Sequence, residues 1–340
     1  MVLKIEKMFF HKKTILASCF VVFGLLIGAI PISSFPTAEI SNGLIHAKIY
    51  LPDAQKGYYR AARFDWSGVI ADLTYNGHHY YGEWFTKHNP IIHDAITGPV
   101  EDFDPLGYEE AKVGDPFVKI GIGVLAKPDE AHYAIITPYK ILDPGVWQIK
   151  KHADRITFKQ EVKKTKYAYT YQKKVRLVKN KPVLELSHVL KNNGTAVIET
   201  EVYNHNFLVL DKQPTGPDFL VEVPFALSLE GQEEGDIAKI EHNQIHFTRK
   251  LAPRENVHYR SLKGFGNRAD DYCIKVENRR TAAGVRIRGN QPISKLVFWS
   301  SSTTVCPEPY IKIKIKPGET FRWKISYEYY TLNASNKAKR

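Results

Sequence analysis

The sequence predicts an all-β protein made of large, twisted antiparallel sheets that pack as a sandwich. Apolar and polar residues alternate with a period of two along most of the chain, and this period places one face of a strand inward. The periodicity of amphipathic helices is almost absent. The alternating runs are rich in aromatic and β-branched residues, which strands prefer. No linker rich in proline and serine divides residues 40–332, so we expect one large domain over residues 31–340.

Turn residues divide this pattern into individual strands. Asn76-Gly77 is typical of a type I′ turn and predicts a hairpin between Val69–Tyr75 and His78–Trp84. Further strands are predicted at Val118–Val124, Val175–Val178, Val183–Leu190, Ile240–Phe247 with a bend at Asn243, Val285–Ile287 and Leu296–Trp299. The stretch from Phe85 to Pro116 shows no clear alternation, and we expect it to be a long loop of the kind that often binds ligands.

The clearest alternation lies near the C-terminus, on both sides of Pro317-Gly318. Before this turn isoleucines alternate with lysines, and after it aromatic residues and one isoleucine alternate with polar residues. The apolar positions are Ile311, Ile313, Ile315, Phe321, Trp323, Ile325, Tyr327 and Tyr329. We therefore expect a hairpin with one buried face.

The composition is that of a globular protein, with 340 residues of which 43% are hydrophobic, 12% aromatic and 25% charged. Three cysteines are too few for a disulfide-stapled scaffold, and the sequence leaves the pairing of Cys273 with Cys306 open. The net charge is +12, but the basic residues are spread out, which argues against a nucleic-acid partner. The chain lacks the sequence signatures of phosphate-cradling loops, zinc sites and serine-hydrolase elbows. We expect a monomer.

The first 30 residues have the layout of a secretory signal peptide. Four lysines precede an uncharged and mostly apolar run from Thr14 to Ile30, which Pro31 ends. A retained membrane anchor is the alternative, because the run is long for a signal peptide and short for a membrane span of about 20 residues. Loss of residues 1–30 removes four lysines and one glutamate, so the net charge falls from +12 to +9. We expect an exported protein, periplasmic or extracellular, with no other membrane association.

Two segments carry the residue types of acid and base chemistry. On the predicted strand Glu201–Asp211, His205 shares one face with aromatic and apolar residues, where burial shifts the pKa of an imidazole. Near the C-terminus, Glu308 lies between Pro307 and Pro309, and two prolines fix the backbone on both sides of the carboxylate. A structural core histidine and a solvated turn glutamate are the alternatives.

Together these segments resemble the aldose 1-epimerase (galactose mutarotase) family. Thr195–Asp211, with its Asn-His pair followed by an aromatic residue, is similar to the Asn-His strand of that family. Val305–Pro309, followed by a strand and the Lys316–Glu319 turn, is similar to its C-terminal Glu-Pro segment. Tyr58–Phe64 is similar in placement to its early arginine strand, and the resemblance spans Ala47–Leu332.

The resemblance implies a galactose mutarotase-like β-supersandwich that binds a sugar or glycan on its concave face. It implies that His205 is the general acid toward the ring oxygen and Glu308 the general base toward the anomeric hydroxyl. Opening a cyclic hemiacetal requires these two proton transfers and neither a cofactor nor a metal ion.

Further ligand contacts are implied less specifically. Arg60 and Arg63 are candidate donors to sugar hydroxyls, because a planar guanidinium suits paired oxygens. Asp211 and Asp218 are alternatives for a sugar-binding carboxylate. An additional histidine of the family has no clear match; the substitutes are His88 and His93.

The same fold also predicts two functions without catalysis. One is a glycan-binding module, and the other is a cell-envelope scaffold held by an N-terminal anchor, because a fold does not determine a function. Catalysis requires the predicted acid and base to meet in one open cleft. The sequence does not specify the sugar.

Overall fold

The computed structural model describes residues 35–332, which are built almost entirely from β-strands; the predicted signal segment at residues 1–30 lies outside this range. The strands are β1 (Thr37–Ser41), β2 (Ile45–Tyr50), β3 (Val69–Tyr75), β4 (His78–His79), β5 (Gly98–Phe103), β6 (Pro116–Lys119), β7 (Gly123–Ala126), β8 (Ile141–Asp143), β9 (Val146–Lys151), β10 (Arg155–Val162), β11 (Tyr169–Leu177), β12 (Val183–Asn192), β13 (Ile198–Phe207), β14 (Phe219–Glu222), β15 (Ser228–Leu229), β16 (Ala238–Glu241), β17 (Gln244–Phe247), β18 (Asn256–Lys263), β19 (Cys273–Asn278), β20 (Ala283–Gly289), β21 (Lys295–Ser301), β22 (Thr304–Ile315) and β23 (Thr320–Thr331). The helical turns in this part of the chain are two 3₁₀ segments, Leu210–Lys212 and Ala269–Asp271. Residues 35–332 contain no helix that could span a lipid bilayer.

Two large antiparallel sheets organise the chain. The ten-stranded sheet has the order β16-β17-β14-β19-β20-β23-β12-β11-β10-β9, and the six-stranded sheet has the order β15-β18-β21-β22-β13-β5. A four-stranded sheet (β1 to β4) and a three-stranded sheet (β6 to β8) accompany them. The prediction of large antiparallel sheets is therefore confirmed.

The main core lies between the two large sheets. Along β10 and β11, every second side chain is buried, as the period-two pattern predicts. From the six-stranded sheet, the ring of Phe103 meets the rings of Tyr171 and Trp323 on the ten-stranded sheet, at centroid distances of 5.6 and 6.2 Å. Each such fully buried aromatic or aliphatic side chain contributes roughly 1.5–3 kcal/mol to folding.

The short turns behave largely as predicted. Asn76 and Gly77 have φ angles of 49° and 82°, the left-handed values that a type I′ turn requires. β3 and β4 pair across this turn, but the pairing ends at His79 rather than continuing to Trp84. The predicted strands on both sides of Lys179–Pro182 pair as β11 and β12.

The predicted C-terminal hairpin is wrong. β22 pairs with β13 and β21, whereas β23 pairs with β12 and β20, so the turn at Pro317-Gly318 carries the chain from one large sheet to the other. Both strands keep one buried face, because each packs into the same core from opposite sides. Buried and exposed residues alternate in the same way in two strands of a hairpin and in two strands of different sheets that pack against each other. The alternation therefore does not distinguish these two arrangements.

The stretch from Phe85 to Pro116 contains a strand that the sequence pattern conceals. All six residues of β5 are buried, so no polar face alternates with an apolar one. Its outer neighbour is the segment before β3, from which the Asp65 amide donates a 2.8 Å hydrogen bond to the Glu101 carbonyl. Cys273 and Cys306 lie in different large sheets, and both are free thiols.

Candidate active site

An open pocket of about 390 Å³ lies on one face of the six-stranded sheet. Its floor consists of alternate residues of four neighbouring strands, because alternate side chains of a strand share a face. These residues are His258 and Arg260 of β18, Lys295, Val297 and Trp299 of β21, Glu308 and Tyr310 of β22, and His205 and Phe207 of β13. Loops complete the rim with Arg63, His93, Asp94, Ile135 and Ile136.

The predicted acid and base meet in this pocket. Nε2 of His205 lies 3.1 Å from Oε1 of Glu308, and the two side chains are 5% and 7% exposed. They come from neighbouring strands of one sheet, although 102 positions separate them in the sequence. The contact is within hydrogen-bonding distance.

The two strands separate locally where this pair lies. β13 and β22 pair as far as Tyr203 opposite Tyr310, and they meet again only at an isolated bridge between Leu208 and Val305. The predicted acid and base occupy the gap between these two points. The side chains at the gap therefore lie between strands that backbone hydrogen bonds do not hold together.

The prolines beside Glu308 belong to this gap. Pro307 and Pro309 have no N–H group and cannot donate to the neighbouring strand. The side chain of Asn206 takes over part of the connection, because its Nδ2 donates a 2.7 Å hydrogen bond to the Pro307 carbonyl. Its Oδ1 accepts a 2.8 Å bond from the Tyr327 hydroxyl, which belongs to the other large sheet.

Aromatic rings surround the imidazole of His205. The ring stacks on Phe207 with centroids 3.8 Å apart and an interplanar angle of 8°, and the edges of Phe64 and Trp299 approach it at 5.6 Å. Its Nδ1 is buried without a hydrogen-bond partner among the described residues. Burial, supported by the charge of Arg63, lowers the pKa of His205 well below its usual value of 6.5.

Burial acts on Glu308 in the opposite direction. It raises the pKa of this carboxyl to about 8, and the positive charges of Arg63 and Lys295 only partly oppose the effect. At neutral pH the favoured state of the pair therefore has both groups uncharged, with the titratable proton on Glu308, whose Oε1 lies 3.1 Å from Nε2 of His205.

Arg63 lies at the pocket wall and is firmly held. Its Nε donates to Asp102 at 3.2 Å, its Nη2 donates to the Tyr203 hydroxyl at 3.0 Å, and its Nη1 donates to Asp94. Burial raises the pKa of Asp94, but the hydrogen bond from His93 and the charge of Arg63 outweigh it and hold that pKa below its usual value. Arg63 is therefore a fixed positive charge beside the predicted acid and base.

Solved structures share this architecture. Similar chains include a candidate aldose 1-epimerase from Escherichia coli K12 (TM-score 0.52, 14% identity, covering 87% of this chain and 99% of that one) and a candidate aldose 1-epimerase from Klebsiella pneumoniae (TM-score 0.52, 11% identity, 86% and 79%). A protein from Synechocystis sp. PCC 6803 is similar as well (TM-score 0.51, 10% identity, 88% and 97%). The chain has the galactose mutarotase-like fold. No protein-family model matches the sequence, and neither does any curated protein.

Not every predicted ligand contact lies in the pocket of this galactose mutarotase-like fold. The guanidinium of Arg60 is outside it, and its Nε is buried with no hydrogen-bond partner within residues 35–332. The carboxylate of Asp211 binds the ring of His78 at 2.9 Å and the backbone N–H of His79 at 2.8 Å. The carboxylate of Asp218 pairs with Arg280 at 2.6 Å. The structure thus brings Arg63 to the pair and leaves Arg60, Asp211 and Asp218 elsewhere.

Of the two substitutes for the additional histidine, only His93 lines the pocket. Its Nε2 lies 3.0 Å from Oδ2 of Asp94, and this contact holds the carboxylate at the rim. His88 instead stacks on Tyr58, with ring centroids 4.0 Å apart, away from the pocket.

Several pocket residues escaped the sequence analysis. Asp94 lies in the segment without alternation, where nothing indicated its direction. On β21, in contrast, the alternation of side chains along a strand predicts that Lys295, Val297 and Trp299 share one face. That face was identifiable only from the pairing with β22, which places Val297 opposite Glu308. Among residues 35–332, no group of His, Cys, Asp and Glu side chains is arranged to hold a metal ion.

Proposed function

We propose that this protein interconverts the anomers of a sugar by acid–base ring opening, as an aldose 1-epimerase does. The observation that carries the proposal is the 3.1 Å contact between His205 and Glu308 at the floor of an open pocket. A carboxyl and an imidazole at this distance can act on two atoms that lie very close together.

The chemistry of a pyranose requires that closeness. The ring oxygen and the anomeric hydroxyl are both bonded to C1, so the group that protonates one and the group that deprotonates the other must be neighbours. Ring opening moves a proton from the hydroxyl to the base and another from the acid to the ring oxygen. Rotation about the C1–C2 bond and reclosure by the reverse transfers then exchange the anomers.

The pair already holds the single proton that this reaction needs. In the role assignment that the family resemblance implies, Glu308 is the base and His205 the acid. The neutral pair reaches that reactive state when the proton crosses from Glu308 to Nε2 of His205 over the 3.1 Å contact. A raised carboxyl pKa makes Glu308 a stronger base, and a lowered imidazole pKa makes the protonated His205 a stronger acid.

A glycan-binding module is the second candidate. One observation favours it, namely that His205 and Glu308 contact each other directly and expose only 5% and 7% of their side chains. If a sugar does not displace this contact, the pocket binds without reaction. The sugar ligand is common to both candidates.

Anomer exchange of free sugars separates the two candidates. With the wild type, polarimetry after dissolving a pure anomer should show mutarotation faster than in buffer. Glu308→Gln preserves shape but cannot transfer a proton, and His205→Ala removes the imidazole; each should lose about 10²- to 10⁴-fold in rate. His246→Ala, a partly exposed histidine of β17, is the matched control and should match the wild type. Wild-type traces identical to buffer across a panel of aldoses would favour the binding module.

We also propose export, from the signal-like layout of residues 1–30. Expression of the full chain in a bacterial host followed by fractionation tests it. Export predicts the protein in the periplasm or medium, and a protein that stays in the cytosol contradicts it. A retained anchor would leave the exported protein in the membrane fraction.

A further inference from the structure

We propose that the pocket is built for a sugar that carries a negative charge on a carbon remote from C1, such as a uronic acid or a sugar phosphate. The inference rests on the proposed function only in taking the pocket for a sugar site. Its basis is a pair of cations at the side of the pocket away from His205.

Arg260 and Lys295 line the pocket, and neither has a carboxylate within 4.0 Å among residues 35–332. Two other ionisable side chains of the pocket have partners. Arg63 binds Asp94, and Glu308 contacts its histidine neighbour. The two unpaired cations therefore leave this side of the pocket with uncompensated positive charge.

The structure orients Lys295 and fixes the backbone that carries Arg260. Nζ of Lys295 lies 4.8 Å from the ring centroid of Tyr310, its partner on the neighbouring strand. Arg260 lies on β18, where the side chain of Gln232 bonds both the Arg260 amide, at 3.1 Å, and the His258 carbonyl, at 2.6 Å. These bonds fix the strand that carries Arg260 next to the pocket.

Their combined field is felt inside the pocket. His258 lines the pocket two residues before Arg260 on β18, and partial desolvation together with the charges of Arg260 and Lys295 lowers its pKa. Lys295 also acts on Glu308. An anionic group placed here would neutralise charge that no carboxylate in the described part of the chain neutralises.

The spacing of the strands sets how far from C1 the negative charge lies. Strands are about 4.8 Å apart, so β18 lies roughly 10 Å from β22, which carries Glu308. With C1 at Glu308, a pyranose covers part of this span, and the long side chains of Arg260 and Lys295 cover the rest toward a charged substituent of the sugar. A guanidinium binds a carboxylate or phosphate through two parallel hydrogen bonds, which makes Arg260 the main contact.

Calorimetric titration tests the inference with matched ligands. D-glucuronate and D-glucose 6-phosphate are compared with D-glucose, and inorganic phosphate is added as a free anion. We expect at least one anionic sugar to bind about tenfold or more tightly than D-glucose. The stronger of the two distinguishes a carboxylate from a phosphate site, and added salt should weaken the preference.

The variant Arg260→Gln/Lys295→Gln should reduce the ratio of anionic to neutral affinity to about one. Lys312→Gln and Arg288→Gln remove exposed charges outside the pocket and should keep the wild-type ratio. Equal binding of all three sugars by the wild type, an unchanged ratio in the double variant, or inorganic phosphate binding as tightly as the sugar phosphate would each overturn the inference. Anomer exchange in the same samples separates the two proposals: exchange without anion preference overturns only this one, and anion preference without exchange overturns only catalysis.

Discussion

The side chain of Asn206 reaches across a gap between two strands and donates a 2.7 Å hydrogen bond to the carbonyl of Pro307. It replaces a strand ladder that the prolines beside Glu308 interrupt. Asn206 directly follows His205 in the sequence, and Pro307 directly precedes Glu308. The bond between Asn206 and Pro307 therefore sets the separation of the proposed acid and base.

Asn206→Ala should therefore both destabilise the fold and disturb the site. It leaves the Pro307 carbonyl and the Tyr327 hydroxyl buried without their partner, which costs roughly 3 kcal/mol in the free energy of unfolding. Urea denaturation measures this loss. Asn193→Ala removes an exposed side-chain bond to Thr170 and should cost less than about 0.5 kcal/mol. Equal losses of unfolding free energy in the two variants would show that the hydrogen bonds of Asn206 do not stabilise the fold more than an exposed hydrogen bond does.

The pH dependence of anomer exchange should follow the one-proton state of the pair. Above the Glu308 pKa of about 8, the pair has lost its proton and no acid remains. At low pH both groups carry a proton and no base remains, so the rate of anomer exchange falls. Because the pKa of His205 is lowered, this fall occurs well below pH 6.5. The rate should therefore form a broad plateau that falls near pH 8. A sharp acid limb at 6.5 would contradict these directions.

Glu308 should also make stability depend on pH in an unusual direction. Its pKa rises from 4.5 to about 8 on folding, so the folded state favours the protonated form. The resulting stabilisation is present below pH 4.5 and is lost as the pH rises through 8. Glu308→Gln stays neutral, so its free energy of unfolding relative to wild type should increase between pH 5 and pH 9. Glu109→Gln, at an exposed glutamate, should show no such trend.

Arg63 should be sensitive even to a conservative change. Arg63→Lys retains the charge but cannot serve Asp94, Asp102 and Tyr203 together, and we expect kcat/KM to fall about tenfold or more. Arg63→Met leaves Asp94 without its arginine and Asp102 with Lys119 as its remaining cation, and should cost about 3–5 kcal/mol of stability. Arg176→Met, at a partly exposed ion pair, should cost about 1 kcal/mol or less. A lysine variant with wild-type kinetics would exclude the positioning role.

The sequence predicted the fold class and the central pair because both leave local signals. Alternation marks a strand with one buried face, and His205 and Glu308 stand out by their neighbours. The prediction of a C-terminal hairpin failed because alternation does not show which strands pair. β22 and β23 have the pattern of a hairpin but lie in different sheets. Likewise Arg260 and Lys295 look like ordinary exposed charges until the order β18-β21-β22 brings them to the pocket. β5 escaped because a strand buried on both faces has no alternation.

The central claim is that His205 and Glu308 act as one unit that shares one proton. A kinetic double-mutant cycle of anomer exchange with His205→Ala, Glu308→Gln and the variant that combines them tests it most directly. If the two residues act together, the combined variant should be no slower than the slower single variant, because either substitution already removes the whole transfer. Rate losses that multiply in the combined variant, or single variants that exchange anomers at the wild-type rate, would contradict the claim.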